Sequence, residues 1–350
     1  MKANDRGLPI AVRRVADAAR RRALKAGYYS GALWLTARLK SARRHRGLLV
    51  LMYHSVGEGK DVAPDLRVSE KNFTRQLAYL SDHYAVMSLE RSVELLQRGE
   101  PLPDNAVAIS FDDGYRDNYE IAFPLLRQFG CNATFFVSTA PLIHRRPLWP
   151  NQLFLWLAET RATRIELPAV APHNAPQSLS LASHRKRKKA FRSIEELLFH
   201  VGNAERERLL GEIVARLGFA EISAERPAML TWTQLREMAA AGMTIGSHTE
   251  THPVLATLSR SEALRELAAS RATLERELGR RVTLFAYPFG GPEHFTAETR
   301  KLVEEAGYNA ACSTLGGING TNADMLALKR VGVQDDPPAL FAFKLSRLQN

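Results

Sequence analysis

With 350 residues, 45% of them hydrophobic and 24% charged, the chain is long enough to bury a full core and its composition excludes general disorder. Forty-eight Lys+Arg against 37 Asp+Glu give a formal charge of +11, which favours anionic partners such as nucleic acid, acidic lipid or acidic glycan without choosing among them. Two cysteines, Cys131 and Cys312, exclude a disulfide framework and a cysteine-rich zinc site, so both read as buried thiols.

Residues 1–46 read as a basic amphipathic leader. The apolar stretch 28–35 is short and is soon followed by Arg38, Lys40, Arg43, Arg44 and Arg46, so neither a signal peptide nor a membrane span is expected. Within it, residues 13–40 mix Arg and Lys with Tyr28, Tyr29, Leu33 and Trp34, which suits a helix packed on the domain or one lying on an anionic membrane surface. The location this implies is the cytoplasm, with peripheral contact at the inner membrane face as the variant.

From residue 47 the pattern changes. Residues 48–53 are a continuous apolar run of the kind a doubly covered parallel strand requires. A helix is predicted over 69–84, with Ser69 as N-cap and Phe73, Leu77 and Leu80 on one face, followed by a short apolar run at 85–89 and another helix. The unit recurs as a strand at 107–111, a helix at 119–129 and a strand at 133–137. Between 141 and 227 the regularity fails, among prolines, Trp149, Trp156 and the basic run 184–189, and this segment reads as an insertion over one face. Order returns with a helix over 233–241 ending at Gly242, a strand at 243–246, a long helix over 261–278, a strand at 282–286, a helix over 297–306 and short strands near Ala310 and Val331. Repeated βα units argue for an α/β barrel or a doubly wound sheet over residues 47–334, with 335–350 as a C-terminal tail.

Asp112 and Asp113 follow the apolar run 107–111 and precede Gly114, where a parallel sheet or barrel places its reactive loops. Adjacent side chains on extended backbone point differently, so one carboxylate can bind a metal while the other takes a proton from water. Alone, Asp-Asp-Gly also describes a plain turn. The second cluster, Ser247-His248-Thr249-Glu250-Thr251-His252-Pro253, puts two imidazoles four positions apart after another strand, where they converge on one ion if the loop has a helical turn. Together the pairs suggest an Asp-His-His site with open positions, as hydrolytic metal centres have, because a bound ion lowers the pKa of water towards about 7. Zinc is the first choice, with cobalt, nickel or iron also accepted by such ligands.

The motifs Ser110-Phe111-Asp112-Asp113-Gly114 and Ser247-His248 to His252-Pro253 resemble those of the polysaccharide deacetylases, carbohydrate esterase family 4, with its NodB-like homology domain. Phe285-Ala286-Tyr287-Pro288-Phe289-Gly290 is similar to the family's groove-wall motif, and Leu51-Met52-Tyr53-His54-Ser55-Val56 to its opening strand. The resemblance implies a distorted (β/α) barrel with an inserted segment, Asp112 as general base, and Asp113, His248 and His252 as ligands of one divalent ion. It also implies the Tyr115 backbone N–H at the oxyanion and Tyr287, Pro288 and Phe289 along the substrate groove.

Two features depart from the family pattern. No histidine follows His294, so the usual late catalytic acid is missing; the chain is similar instead to the circularly permuted poly-N-acetylglucosamine deacetylases, whose early Tyr-His motif makes His54 the candidate acid. Ala286 stands where many members have an arginine that tethers the base, which leaves Arg330 or Lys329 to orient Asp112. The implied activity is metal-dependent removal of acetyl groups, N-acetyl ahead of O-acetyl, from a bacterial exopolysaccharide or its lipid-linked precursor. A non-catalytic glycan-binding member and a small-molecule amidohydrolase of the same fold are the alternatives. Nucleic acid is not expected as a partner, since it would account for the run 184–189 but not for the Asp and His pairs. Trp149 and Trp156 offer flat faces for sugar rings, although aromatic residues at such positions are more often core.

Overall fold

A computed structural model describes residues 45–168, 177–219, 226 and 228–348. The leader expected over 1–46, including the stretch 13–40 considered for membrane contact, lies outside the described residues apart from His45 and Arg46.

Among the described residues the main sheet has eight parallel strands, seven of them in one continuous path: β1 (Leu49–Tyr53), β2 (Ala106–Phe111), β3 (Ala133–Val137), β4 (Thr244–Ser247), β5 (Leu284–Ala286), β6 (Ala310–Cys312) and β7 (Val331–Gly332); the eighth, Ala85–Val86, pairs with β2 off that path. The spatial order along the path is β6-β5-β4-β3-β2-β1-β7. The ring is closed by one segment: Leu328 bridges to Cys312 at the end of β6, and Val331 a few residues later pairs with Leu51 of β1. The barrel reading is therefore the right one, and the doubly wound sheet is not.

β1, β2 and β3 are covered on both faces, which is why they read as unbroken apolar runs. One set of alternate residues faces outward to helices. There the helix Glu70–His83 is capped by the Ser69 hydroxyl and buries Phe73, Leu77 and Leu80. The Phe73 ring meets Tyr53 and Phe111 edge-on at 5.3 and 5.8 Å. Burying aromatic and leucine side chains of this size contributes about 1.5–3 kcal/mol each. The other set, including Val50, Ala108, Phe136, Ala286, Cys312 and Leu328, fills the barrel interior. Gly246 is required there, because a Cβ would stand 2.5 Å from the Phe136 ring.

Two expected elements differ in detail. The helix expected over 119–129 opens as a wider π turn, Asn118–Ala122, before the α-helix Phe123–Gln128; Pro124 has no N–H with which to continue an α-helical ladder back to residue 120. The described residues of the segment 141–227 are not irregular. They hold the helices Trp149–Glu159, His184–Phe199 and Asn203–Arg216 and an antiparallel pair, Arg164–Leu167 with Gln177–Ser180. These close over a second core built on Leu153, Trp156, Leu157, Ile194, Leu197 and Leu209. Trp149 and Trp156 are buried in it and offer no face to a sugar. In the basic run, Arg187 donates to the carbonyls of Ala158, Thr160 and Leu181, and Lys188 pairs with Asp65 at 3.3 Å.

Beyond β7, the residues expected as a tail include the helix Pro338–Ser346, which packs on the helix Glu70–His83 with Phe341 edge-on to Tyr79 at 6.0 Å. Asp335 accepts hydrogen bonds from the N–H and hydroxyl of Ser69. Cys131 and Cys312 are free and buried. No helix among the described residues is long and apolar enough to cross a membrane.

Candidate active site

Because the strands are parallel, the residues that follow them gather at one end of the barrel. Tyr53 and Phe111 are register partners, and the Asp112 N–H donates to Tyr53 O at 3.0 Å, so His54 and Asp112 leave adjacent strands side by side. Asp113 follows with φ +77° and Gly114 with φ +85°, a left-handed turn that points the two carboxylates apart. From β4, His248 leaves directly and His252 returns after a loop in which Thr249 (φ +68°) and His252 (φ +60°) are also left-handed. Backbone of this kind is costly for residues other than glycine and collects at functional sites.

His248 Nε2 and His252 Nε2 lie 3.6 and 3.4 Å from Asp113 Oδ1, and all three residues are buried. Ligand atoms arranged tetrahedrally about a zinc-like ion stand roughly 3.3–3.6 Å apart, so these three fit one divalent ion. His248 Nδ1–H donates to Ala286 O at 2.7 Å, which turns the Nε2 lone pair towards Asp113. Burial raises the Asp113 carboxyl, but the two imidazoles outweigh it and hold the group well below the usual carboxylate range. Burial pushes the His252 imidazole down, towards the neutral form that binds metals.

Asp112 is held by Arg330. The guanidinium donates Nη1 to Oδ1 at 2.6 Å and Nη2 to Oδ2 at 2.7 Å, both side chains being almost wholly buried. Arg330 is itself fixed by Nε to Ser313 O at 3.0 Å and lies over the Phe136 ring at 5.5 Å. Burial raises the Asp112 carboxyl, yet the charge of Arg330, with smaller contributions from His248 and His54, leaves it below the ordinary range. Of the two candidates for orienting Asp112, Arg330 alone points inward; Lys329 is exposed.

Tyr115 follows the turn and bridges Met229, but the bonds of that bridge come from Arg116 and Leu230, so the Tyr115 N–H faces away from it. Its hydroxyl donates to Asn151 Oδ1 of the inserted subdomain at 3.0 Å. The expected groove residues divide. Tyr287 is buried, stacked on Phe295 at 4.4 Å and donating to Leu326 O, and Pro288 is buried as well, so neither lines a groove. Phe289, left-handed at φ +61° and only half-buried, stands beside the His252 ring at 4.8 Å. Not anticipated were Glu266 and Asn203, which brace the loop carrying His252, and the indole of Trp149, which donates to His252 O at 3.0 Å.

Residues 99–161 and 193–311, just over half of the chain, match the family described as Polysaccharide deacetylase. The chain belongs to that family. This deacetylase is 24% identical over 287 residues to YxkH of Bacillus subtilis (strain 168), assigned by name to the polysaccharide deacetylases, a span of 82% of this chain and 71% of that one. It is 35% identical over 89 residues to the poly-beta-1,6-N-acetyl-D-glucosamine N-deacetylase of Escherichia coli (strain K12), a stretch of 24% of this chain and 13% of that protein. Its fold is similar to the Streptococcus pyogenes deacetylase PplD in complex with acetate, with a TM-score of 0.58 at 20% identity, over 87% of this chain and 99% of that chain. Family, barrel and the reaction class of carbohydrate deacetylation agree with the motif reading. Residues 162–192 lie between the matched stretches.

Proposed function

We propose that this deacetylase removes N-acetyl groups from an exopolysaccharide of the poly-N-acetylglucosamine kind or its lipid-linked precursor, using one divalent ion, zinc first, held by Asp113, His248 and His252. The observation that carries the reading is a buried, arginine-paired Asp112 immediately beside a three-residue cluster spaced for an ion. The short stretch of likeness to the Escherichia coli poly-beta-1,6-N-acetyl-D-glucosamine N-deacetylase supports the choice of polymer.

Once bound, the ion would supply Lewis acidity, easing deprotonation of water and polarising a carbonyl. The remaining steps fall to side chains and backbone. Asp112, ionised and held by Arg330 in one orientation, keeps lone pairs free on its oxygens and accepts a proton from the attacking water. The Tyr115 N–H donates to the carbonyl oxygen as it gains charge, a contact worth about 3 kcal/mol where a comparable donor has been removed from another enzyme. His54, beside Asp112 at the end of β1, gives a proton to the departing nitrogen as the C–N bond breaks, leaving acetate and a free amine. Phe289 offers its face at the groove wall.

The test is acetate release from N-acetylated β-1,6-linked glucosamine oligomers and from an O-acetylated glycan, with wild type, Asp112→Asn and His54→Ala compared at equal metal content. Acetate from the N-acetylated oligomers that vanishes in Asp112→Asn supports the reading. A wild-type chain that carries metal but releases acetate only from the O-acetylated glycan would overturn the substrate assignment.

A further inference from the structure

The two histidines of the metal cluster are oriented by different means. His248 has its ring nitrogen tied to Ala286 O, whereas Nδ1 of His252 has no hydrogen-bond partner among the described residues. Metal-binding histidines ordinarily owe their ring orientation to that bond. The place of His252 must then come from its backbone and its packing. Its ring lies between His248 at 4.9 Å and Phe289 at 4.8 Å, and its N–H donates to Thr249 Oγ1 at 3.0 Å.

One carboxylate organises the backbone of this loop. Glu266, on the helix Arg260–Leu278 and 3% exposed, accepts the N–H groups of Glu250 and Thr251 on Oε2, both at 2.9 Å, and the Thr251 hydroxyl on Oε1 at 2.6 Å. The same Oε1 accepts from Asn203 Nδ2 at 2.6 Å. Asn203 and Arg206 also donate to Thr251 Oγ1, at 3.3 and 3.2 Å, and Arg206 stacks on Trp149 at 5.6 Å. Trp149 in turn donates to His252 O. Asn203, Arg206 and Trp149 all belong to the inserted subdomain, outside the barrel.

We infer that Glu266, joined to Asn203 and Trp149 of the inserted subdomain, is the positioning group for His252, so that the insertion sets the affinity of the metal centre. This rests on the metal assignment proposed above. Glu266 touches no ligand atom and takes no proton in the reaction; it acts by fixing four-residue loop geometry that the left-handed Thr249 and His252 would otherwise leave. Losing an outer partner of a metal ligand typically costs 10–100-fold in metal affinity.

The experiment is a titration of the metal-free full chain with Co2+, followed by visible absorption and by competition with a chelator, for wild type, Glu266→Gln, Glu266→Ala, Asn203→Ala and Trp149→Phe. Melting of each metal-free variant is measured alongside, to separate folding from binding. We expect Co2+ affinity to fall about 10–100-fold in Glu266→Ala, less in Glu266→Gln, which keeps one acceptor oxygen, and measurably in Asn203→Ala and Trp149→Phe. Should the Glu266 variants not fold, the two single-donor variants decide. Affinity within twofold of wild type in both overturns the inference, as does a lowered melting temperature with unchanged affinity. A wild-type chain that takes up no Co2+ overturns the metal assignment itself, and this inference with it.

Discussion

Replacing Arg330 by methionine keeps a long apolar stem and removes both hydrogen bonds to Asp112. The pair it breaks is buried on both sides, with Arg330 at 0% and Asp112 at 3% side-chain exposure, so the carboxylate is left without compensation. Removing one partner of a buried pair costs about 3–5 kcal/mol. The groups still facing Asp112 are His248 and His54, whose effects are smaller than that of Arg330. Burial then dominates and the Asp112 pKa rises, each unit corresponding to about 1.4 kcal/mol. The sign of the pH dependence follows. In wild type the depressed carboxyl contributes stability above the unfolded value near 3.8, lost as pH falls through its lower folded pKa. In the variant a raised carboxyl destabilises at neutral pH and is relieved by protonation, so the stability gap between the two proteins should narrow on acidification. The acidic limb of the acetate-release profile should move to higher pH, and the rate at pH 7 should fall about 100-fold through loss of orientation. Arg330→Lys, with charge but no planar fork, should sit between. Denaturant melts and pH–rate profiles check both statements; an Arg330→Met protein with an unmoved acidic limb and a rate within twofold of wild type would refute the role given to this pair.

Other outcomes follow from the same geometry. His54→Ala should lose about 10²–10⁴-fold on an N-acetylated sugar but little on an activated aryl acetate, whose leaving group needs no proton; equal losses on both would remove His54 from the acid role. Adding Zn2+ at 100 times its Kd should stabilise wild type against denaturant by about 2.7 kcal/mol, and Asp113→Ala should erase that gain. Tyr115→Phe strips the donor from the buried Asn151 carbonyl and should cost about 1–3 kcal/mol in urea unfolding. Leu209→Ala, in the wholly buried core of the inserted subdomain, should cost about 2–5 kcal/mol by the same measurement, with the barrel core untouched.

The barrel was legible because its strands are buried on both faces and so print long apolar runs, each ending in the polar residues that form the site. The choice between Lys329 and Arg330 was also within reach: Leu328 faces inward, and the twofold alternation of a strand then turns residue 329 out and 330 in. Glu266 is not marked out by its sequence, because charged residues on a helix are usually solvated. Yet it lies on the buried stripe with Ala263, Leu267, Ser270 and Leu274, a position where a carboxylate must have donors. The inserted subdomain was hidden by its prolines, although Leu153, Trp156 and Leu157, and later Ile194, Leu197 and Leu198, keep helical spacing. The burial of Tyr287 was not readable, since nothing local distinguishes an aromatic ring that turns into the core from one that lines a groove.

The closing segment 328–333 also orders events in time. Arg330 is made 218 positions after Asp112. Until the segment 328–333 leaves the ribosome, the barrel lacks its seam and the carboxylate its cation. A nascent or truncated chain ending before Arg330 therefore holds the motif residues without the charge balance that lets them be buried, and contact at such sequence separation forms slowly. Assembly of the catalytic end is thereby tied to synthesis of the segment 328–333, so products that stop before Arg330 are unfit for the reaction.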